Sequence, residues 1–209
     1  MTVPERWKDG LESDTPPAPY ATDGTDFGGA VRYHYGVALK KFLKFFPVFL
    51  LLWVQLFVFR LDYLLPVAIV GMFGTVWTLF LLADRLSFTR KCSKVFRTYP
   101  LEFRTPVEKY GMESTHTLFL RFGDQGGTPF TLRAKHALGR RRWPAGITDG
   151  VWFAGDEPFG GAIIVPGSGE LLFLQPRDWA ARNEDRANAG PERTEKAGRA
   201  GIKRPARRQ

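Results

Sequence analysis

The chain has 209 residues, with 30 Lys and Arg against 21 Asp and Glu, a formal net charge of +9 and one cysteine. This length allows one modest soluble domain beside any membrane segment. A single cysteine, Cys92, excludes an internal disulfide, and the three histidines, His34, His116 and His136, lack the close pairing of metal ligands. The composition therefore argues against a disulfide scaffold and against a zinc site.

The N-terminal segment, residues 1–31, is acidic and rich in proline. It holds six acidic residues against two basic ones, a formal balance of −4, and shows no apolar periodicity. The acidic residues are Glu5, Asp9, Glu12, Asp14, Asp23 and Asp26. This composition predicts a disordered acidic leader.

Two long apolar runs follow, separated by the polar tripeptide Arg60–Asp62. The second run, Tyr63–Ala83, contains 21 uncharged residues, which as a helix would rise about 31 Å and cross a bilayer core. The first reaches about 27 Å if Lys44 extends to the headgroups. The runs predict a membrane hairpin over 32–89, with spans at about 42–59 and 63–83.

Basic residues flank both runs and predict the orientation of the hairpin. Four precede the first span, five follow the second, and Arg60 is alone in the turn. The flanking cations are Arg32, Lys40, Lys41, Lys44, Arg85, Arg90, Lys91, Lys94 and Arg97. Such residues are retained on the cytoplasmic side. We therefore expect an integral protein of a bacterial plasma membrane with both termini cytoplasmic.

From residue 90 to residue 179 the pattern changes to short apolar runs separated by turn residues. The predicted strands are Lys94–Tyr99, Leu101–Arg104, Thr117–Phe122, Phe130–Ala134, Val151–Ala154, Ala162–Val165 and Leu171–Gln175. Glycine-rich turns between the last three runs are typical of a β-meander. The predicted fold class is α+β, a transmembrane hairpin followed by a small antiparallel β barrel or sandwich.

The C-terminal segment, residues 180–209, consists mainly of Ala, Gly, Arg and Glu, with Ile202 as its one large aliphatic residue. Its final part carries six cations and no acid from Lys196 onward. This pattern predicts a disordered basic tail.

One segment, Trp143–Gly161, combines aromatic residues with carboxylates in predicted turns. A functional interpretation makes Trp152, Asp156 and Glu157 a pocket, in which Asp149 could join the two carboxylates as a small hydrolase or transferase site. A structural interpretation assigns the acids to hairpin turns and the aromatics to a core. We favour the structural interpretation, because turn chemistry accounts for every acidic position.

Two basic clusters are candidates for anion binding. The triplet Arg140, Arg141 and Arg142 stands beside Trp143, and the tail adds Lys203, Arg204, Arg207 and Arg208. Arginines of this kind can hold the phosphates of a lipid headgroup or of a nucleic acid. The alternative for the triplet is a solvated cytoplasmic loop, which is the more common role of such a cluster.

A resemblance rests on three stretches of sequence. They read CSKVFRTYPLEFR from Cys92, RRRWPAGITDGVWFAGDEPFGG from Arg140, and IIVPGSGELLFLQP from Ile163. Together with the hairpin, they resemble a group of uncharacterised actinobacterial integral membrane proteins over residues 40–176. That resemblance implies two helices followed by a small β domain, and it implies no activity.

The sequence leads to three hypotheses about function. The first is a noncatalytic membrane-anchored adaptor whose β domain binds an unknown cytoplasmic protein. The second is recognition of anionic lipid or nucleic acid by the arginine triplet and the basic tail. The third is a small hydrolase or transferase that uses Asp149, Asp156 and Glu157. No phosphate-binding loop, nucleophile elbow or cofactor motif occurs in the sequence, so we expect no cofactor and no metal.

Overall fold

The structure, a computed structural model, describes residues 20–21, 23, 26–59, 65–114, 117–123, 130–136 and 143–203. Most of the predicted acidic leader and the predicted hairpin turn lie outside these residues. The chain divides into two compact units. One comprises residues 32–88, and the other combines the residues up to 31 with residues 89–209.

Two long helices account for the first half of the chain. Helix α1 runs over Phe27–Phe59 and α2 over Leu65–Thr98. The predicted strand at Lys94–Tyr99 is therefore wrong. No glycine or proline interrupts residues 84–98, so the helix continues until Pro100 disfavours a helical conformation of the residue before it.

Among the described residues, α2 is the one helix long and apolar enough to span a membrane. The second span, predicted within α1, stays a prediction. Large apolar side chains nevertheless lie exposed along both helices of the first unit. On α1 they are Leu39, Leu43, Phe45, Val48, Leu51, Trp53, Val54, Val58 and Phe59. On α2 they are Leu65, Val67, Ile69, Val70, Met72, Phe73, Val76, Trp77, Leu79, Phe80 and Leu81.

Small residues on α2 allow the two helices to approach closely. Ala68, Gly71, Thr75 and Thr78 are buried, and the two threonine hydroxyls donate to α2's own carbonyls, those of Gly71 and Thr75. A Cβ atom at Gly71 would lie 2.5 Å from the backbone nitrogen of Trp53 on α1. The backbones of the two helices therefore approach each other closely at Gly71, which has no side chain to keep them apart.

The second unit is built on one antiparallel sheet of seven strands. The strands are β1 (Glu102–Arg104), β2 (Val107–Ser114), β3 (Thr117–Phe122), β4 (Phe130–His136), β5 (Val151–Asp156), β6 (Gly160–Ile164) and β7 (Leu171–Pro176). Their order in the sheet is β1-β5-β6-β7-β4-β3-β2. Two meanders, β2-β3-β4 and β5-β6-β7, are thus joined through the pairing of β4 with β7.

The connection between β1 and β2 explains why this sheet is curled. These strands lie at opposite edges, yet only Thr105 and Pro106 separate them in the chain. Three Cα–Cα steps cover at most about 11 Å, whereas the edges of a flat seven-stranded sheet would lie about 29 Å apart. The sheet therefore curls into a half-barrel. A single curled sheet corresponds to the barrel alternative of the prediction, not to the sandwich.

Alternate residues of the strands point into the half-barrel and form its core. The buried cluster comprises Val107, Leu118, Leu120, Phe122, Phe130, Leu132, Ala134, Trp143, Ile147, Val151, Phe153, Ile163, Val165, Leu172 and Leu174. Phe122 stacks on Phe130 with ring centroids 5.3 Å apart and contacts Phe153 at 6.0 Å. Trp143 and Ile147, from the segment before β5, join this cluster. The predicted meander over the last three strands is confirmed, while β2 was missed by the sequence analysis.

Two helices, α3 (Asn183–Asn188) and α4 (Gly190–Ala200), occupy the segment for which the sequence predicted disorder. Ala197, Ala200 and Ile202 are fully or almost fully buried. Alanine contributes little to a hydrophobic pattern. The composition therefore did not reveal that burial of these alanines would keep the segment folded. The prediction of a disordered tail does not hold for residues 183–200, and 204–209 lie outside the described residues.

Candidate functional site

The predicted pocket residues lie at different places around β5. Trp152 and Asp156 are on the outer face of the strand, the side away from the core, because Val151 and Phe153 point inward. Trp152 packs edge-on against Phe103 at 5.2 Å. Glu157 is exposed in the turn that follows, 3.8 Å from Arg104. These side chains therefore face different neighbours instead of sharing one cavity.

Asp149, the third carboxylate of the enzyme hypothesis, lies before β5, whereas the other two lie at or just after its end. It is exposed in a 3-10 helix over Ile147–Asp149, before β5 begins, whereas Asp156 ends that strand. The strand itself, Val151–Asp156, has six residues, whose first and last Cα atoms are roughly 17 Å apart when extended. Carboxylates that share acid–base work in glycoside hydrolysis, for comparison, lie within about 10 Å. The length of β5 between Asp149 and Asp156 does not support the convergence on which the enzyme hypothesis depends.

Asp156 instead forms the contact that holds α4 against the sheet. Its carboxylate accepts two hydrogen bonds from Arg193, at 3.0 Å from Nε and 2.5 Å from Nη2. The Asp156 side chain is 8% exposed and that of Arg193 is 54% exposed. The hydrogen bond to Asp156 raises the pKa of Arg193. A bidentate ion pair of this kind is among the stronger side-chain interactions.

Substitutions of Arg193 and of Asp156 should lower the unfolding free energy by different amounts. We expect Arg193→Ala to cost about 1.5–3 kcal/mol of unfolding free energy, because the buried carboxylate loses two charge-assisted hydrogen bonds. Asp156→Asn keeps the shape and leaves a half-exposed guanidinium that water can solvate, so about 1 kcal/mol is expected. Urea unfolding of the purified chain, with the double variant completing a mutant cycle, measures both. Equal losses that add without coupling would contradict the assignment.

Tyr99 lies next to this ion pair with a buried hydroxyl. The residue is 7% exposed, and within the described part of the chain its Oη has no hydrogen-bond partner. Lys196 of α4 lies over the ring, 4.7 Å from its centroid. Burial raises the pKa of Tyr99 to about 12, and the carboxylate of Asp156 adds to the rise. The phenol is therefore held in its neutral form.

This burial predicts a stability loss at alkaline pH. In the unfolded chain the phenol ionises near its ordinary pKa of about 10, whereas in the folded chain it keeps its proton to about 12. Unfolding therefore releases a proton in this window, and stability should fall as pH rises from about 10 to about 12. Tyr99→Phe should reduce that fall and be neutral or stabilising at pH 7. Melting curves of both proteins from pH 7 to 11.5 test this, and parallel curves would contradict it.

Most of the predicted anion-binding residues cannot be placed. Arg140, Arg141, Arg142, Arg204, Arg207 and Arg208 lie outside the described residues. Lys203 is described and exposed. It lines a shallow depression of about 540 Å³ between α3 and α4, together with Arg186, Pro191 and Glu195. The guanidinium of Arg186 donates hydrogen bonds to the carbonyl oxygens of Trp179 and Pro158. These bonds connect α3 to the chain segments on which it packs.

A cationic surface that the sequence analysis missed lies on the outer side of the half-barrel. In β3 and β4 the core residues alternate with Arg121, Arg133 and Lys135, which consequently point outward. Arg177 directly follows β7, and its amide donates to the carbonyl of Thr131 on β4. We call these four residues, Arg121, Arg133, Lys135 and Arg177, the cationic face.

The register of the strands gives this face its dimensions. Arg121 pairs with Thr131, and Arg133 pairs with Phe119 and Gln175. Neighbouring strands are about 4.8 Å apart, and residues two apart along a strand are about 6.7 Å apart. The Cα atoms of all four cations therefore lie within roughly 15 Å of one another on one rigid sheet.

Within the described part of this face, one acidic and two aromatic side chains accompany the cations. Glu108 lies 3.9 Å from Arg121, with both side chains exposed by more than 40%, so this pair is weak. The guanidinium of Arg177 stacks over Phe119 at 4.9 Å and over Tyr110 at 5.4 Å. Stacking on two rings orders the guanidinium while its N–H groups remain available at the edges.

Strand alternation was the signal that could have identified this face. TLFLRF and FTLRAKH place apolar residues at every second position with arginine or lysine between them. That pattern marks a sheet with one buried and one solvated side. It does not show which strands are neighbours, because the pairing of β4 with β7 depends on a connection of 34 residues between them.

Cys92 is fully buried near the end of α2, and burial raises the pKa of its thiol well above the usual range. A thiol in this state is neither a nucleophile nor accessible for modification. Within the described residues, no group of three His, Cys, Asp or Glu side chains is placed to hold a metal ion.

Comparisons with protein-family models, with curated proteins and with solved structures gave no match to this chain.

Proposed function

We propose that the protein is a noncatalytic membrane-anchored adaptor. Its helical hairpin crosses the membrane twice, both termini lie in the cytoplasm, and the half-barrel presents a binding surface to a cytoplasmic partner. The observation that carries this proposal is the contrast between the two units. One exposes large apolar side chains along both helices, whereas the other buries its apolar residues in a core of its own.

The exposed apolar surface supports anchoring. Exposed phenylalanine, leucine and tryptophan on both helices would be unstable in water, because contiguous apolar patches of this extent are rare on soluble monomers. Helix α2 has the length and composition of a membrane span. Helix α1 contributes 33 residues, of which the part from Phe45 to Phe59 is uncharged and helical throughout.

The distribution of charge supports the orientation. Basic residues occur at the N-terminal part of α1 and the C-terminal part of α2, which are the two ends away from the predicted turn. Cations in such flanks favour the cytoplasmic side.

The positions of the carboxylates favour a noncatalytic role. Asp149 lies in the 3-10 helix before β5, whereas Asp156 ends that six-residue strand and is engaged by Arg193. We therefore favour the adaptor over the hydrolase or transferase. Recognition of anions by Arg140–Arg142 and the basic tail remains the alternative binding function, and membership of the actinobacterial two-helix group remains a prediction.

Cysteine labelling in intact cells tests the topology. Because Cys92 is buried, an introduced cysteine would be the accessible thiol. We expect a membrane-impermeant maleimide to label Leu61→Cys in intact cells and Glu157→Cys only after permeabilisation. Labelling of Glu157→Cys in intact cells would overturn the orientation, and release of the chain by alkaline carbonate would overturn the anchor.

Proximity labelling tests the adaptor role. A ligase fused to the C-terminus should mark a reproducible set of cytoplasmic neighbours, and a fusion of the hairpin residues 1–89 alone should mark fewer. Identical sets from both fusions would show that the half-barrel recruits no partner.

A further inference from the structure

We propose that the cationic face formed by Arg121, Arg133, Lys135 and Arg177 binds phosphate groups at an anionic membrane surface. This inference rests on the proposed membrane anchor, and it assigns binding to residues other than the arginine triplet and the basic tail. Among the side chains that the structure describes here, four cations share this part of the sheet with one carboxylate, Glu108, which is more than half exposed. These described side chains therefore carry a net positive charge on a rigid support.

The neighbouring acidic residue does not neutralise the face. Asp178 follows Arg177 in the chain, but its carboxylate accepts hydrogen bonds from the amides of Ala181 and Ala180, at 3.2 and 2.7 Å. These bonds lower the pKa of Asp178 and direct the group into the turn before α3. Arg177 instead stacks on Tyr110 and Phe119, which holds its guanidinium in a defined position.

The composition of the face favours phosphates over a protein partner. Protein interfaces concentrate apolar and aromatic side chains at their centre, are enriched in arginine and are depleted of lysine. Among the described residues of this face, Tyr110 is the one large apolar side chain that is strongly exposed, at 46%, and Lys135 is of the type that such interfaces lack, so the face offers a protein partner little apolar area to bury. Arginine presents a planar fork of donors that matches phosphate oxygens.

Tethering favours a membrane as the source of those phosphates. A domain that is attached to a lipid bilayer by its own helices meets the headgroups at a high effective concentration. Each cation close to an anionic leaflet contributes enough to strengthen binding roughly five-fold. Three cations acting together would thus strengthen it roughly 100-fold before salt screening reduces the effect.

An environment-sensitive fluorophore on Thr131→Cys tests this inference, since Thr131 lies between Arg121 and Arg177 on the face. The full-length protein is placed in nanodiscs of neutral phosphatidylcholine or of the same lipid with 30% phosphatidylglycerol. We expect a blue shift in the anionic discs, or in neutral discs on addition of anionic vesicles, and its reversal by high salt. No shift by either route would overturn the proposal.

Charge variants localise the effect. Arg121→Gln, Lys135→Gln and Arg177→Gln combined should weaken vesicle binding at least 10-fold. The matched control, Arg97→Gln, Arg182→Gln and Arg199→Gln, removes the same charge elsewhere and should weaken it less than three-fold. The reverse ranking would assign binding to the helix end and the tail and overturn the proposal.

Two further outcomes separate this inference from its alternatives. Binding of single-stranded RNA by the neutral-disc protein, without binding to anionic vesicles, would identify nucleic acid as the ligand and overturn the membrane assignment. Resistance of the protein to carbonate extraction is measured in parallel. If the protein stays in the membrane but shows no blue shift, the cationic face does not bind the membrane, and the proposed anchor still stands. If the protein is extracted, both the anchor and this inference are wrong.

Discussion

Phe122→Ala should destabilise the half-barrel by about 3–5 kcal/mol, the usual cost of truncating a fully buried phenylalanine. Phe122 is 1% exposed and lies between the rings of Phe130 and Phe153. It also pairs with Val107 at the edge strand β2. The cavity would therefore open where the two meanders face each other across the core, and the surrounding rings could not close it without moving their strands.

Thermal unfolding of the detergent-solubilised full-length chain measures this loss. Fluorescence of Trp143 and Trp152 reports on the half-barrel, and the midpoint should fall by roughly 10–20 °C. Phe103→Ala is the matched control, because Phe103 is 43% exposed on the short edge strand β1, and it should cost about 1 kcal/mol or less. A shift of less than 2 °C for Phe122→Ala would refute its place in the core.

Gly71→Val should separate the two helices of the hairpin. A Cβ atom at this position would lie 2.5 Å from the backbone nitrogen of Trp53 and 2.8 Å from the carbonyl carbon of Leu52. Backbone atoms of a helix cannot move aside as a side-chain end can. Overpacking ordinarily lowers stability by about 1–3 kcal/mol. We therefore expect Gly71→Val to lower the stability of the helix pair by more than this.

The effect of Gly71→Val is measured as thermal stability in detergent, followed by size-exclusion chromatography. The variant should aggregate at a clearly lower temperature than the unchanged chain. Gly36→Val is its control, because Gly36 also lies inside a helix, α1, and nothing stands within 4 Å of a Cβ atom there. Equal behaviour of the two variants would show that the close approach at Gly71 does not hold the helices together.

Several local elements could be predicted because the information lies within a few residues. Thr117–Phe122 is a strand with the predicted bounds, and the meander of the last three strands follows from apolar runs separated by glycine turns. Helix α2 contains the second apolar run from Leu65 to Ala83. In each case hydrophobic periodicity and turn residues decide the conformation, and distant contacts only reinforce it.

Other elements depend on contacts that a sequence pattern does not contain. Residues 94–98 have apolar spacing compatible with a strand, yet they continue α2, where Val95 is fully buried. Strand β2 contains glycine and two bulges, so its apolar pattern is interrupted. Helix α4 is held by the ion pair of Arg193 with Asp156, 37 residues away. Tertiary packing outweighs local preference in all three.

The sequence by itself therefore determined the class of this protein, an apolar helical segment followed by an antiparallel β domain. Hydrophobicity and its periodicity can be read within a few neighbouring residues. Only the tertiary structure decided the candidate site. Asp149 and Asp156 are close in sequence, but the extended strand β5 separates them. Arg121, Arg133 and Arg177 are distant in sequence but adjacent on one face. Strand pairing sets such distances, and it is a property of the whole sheet.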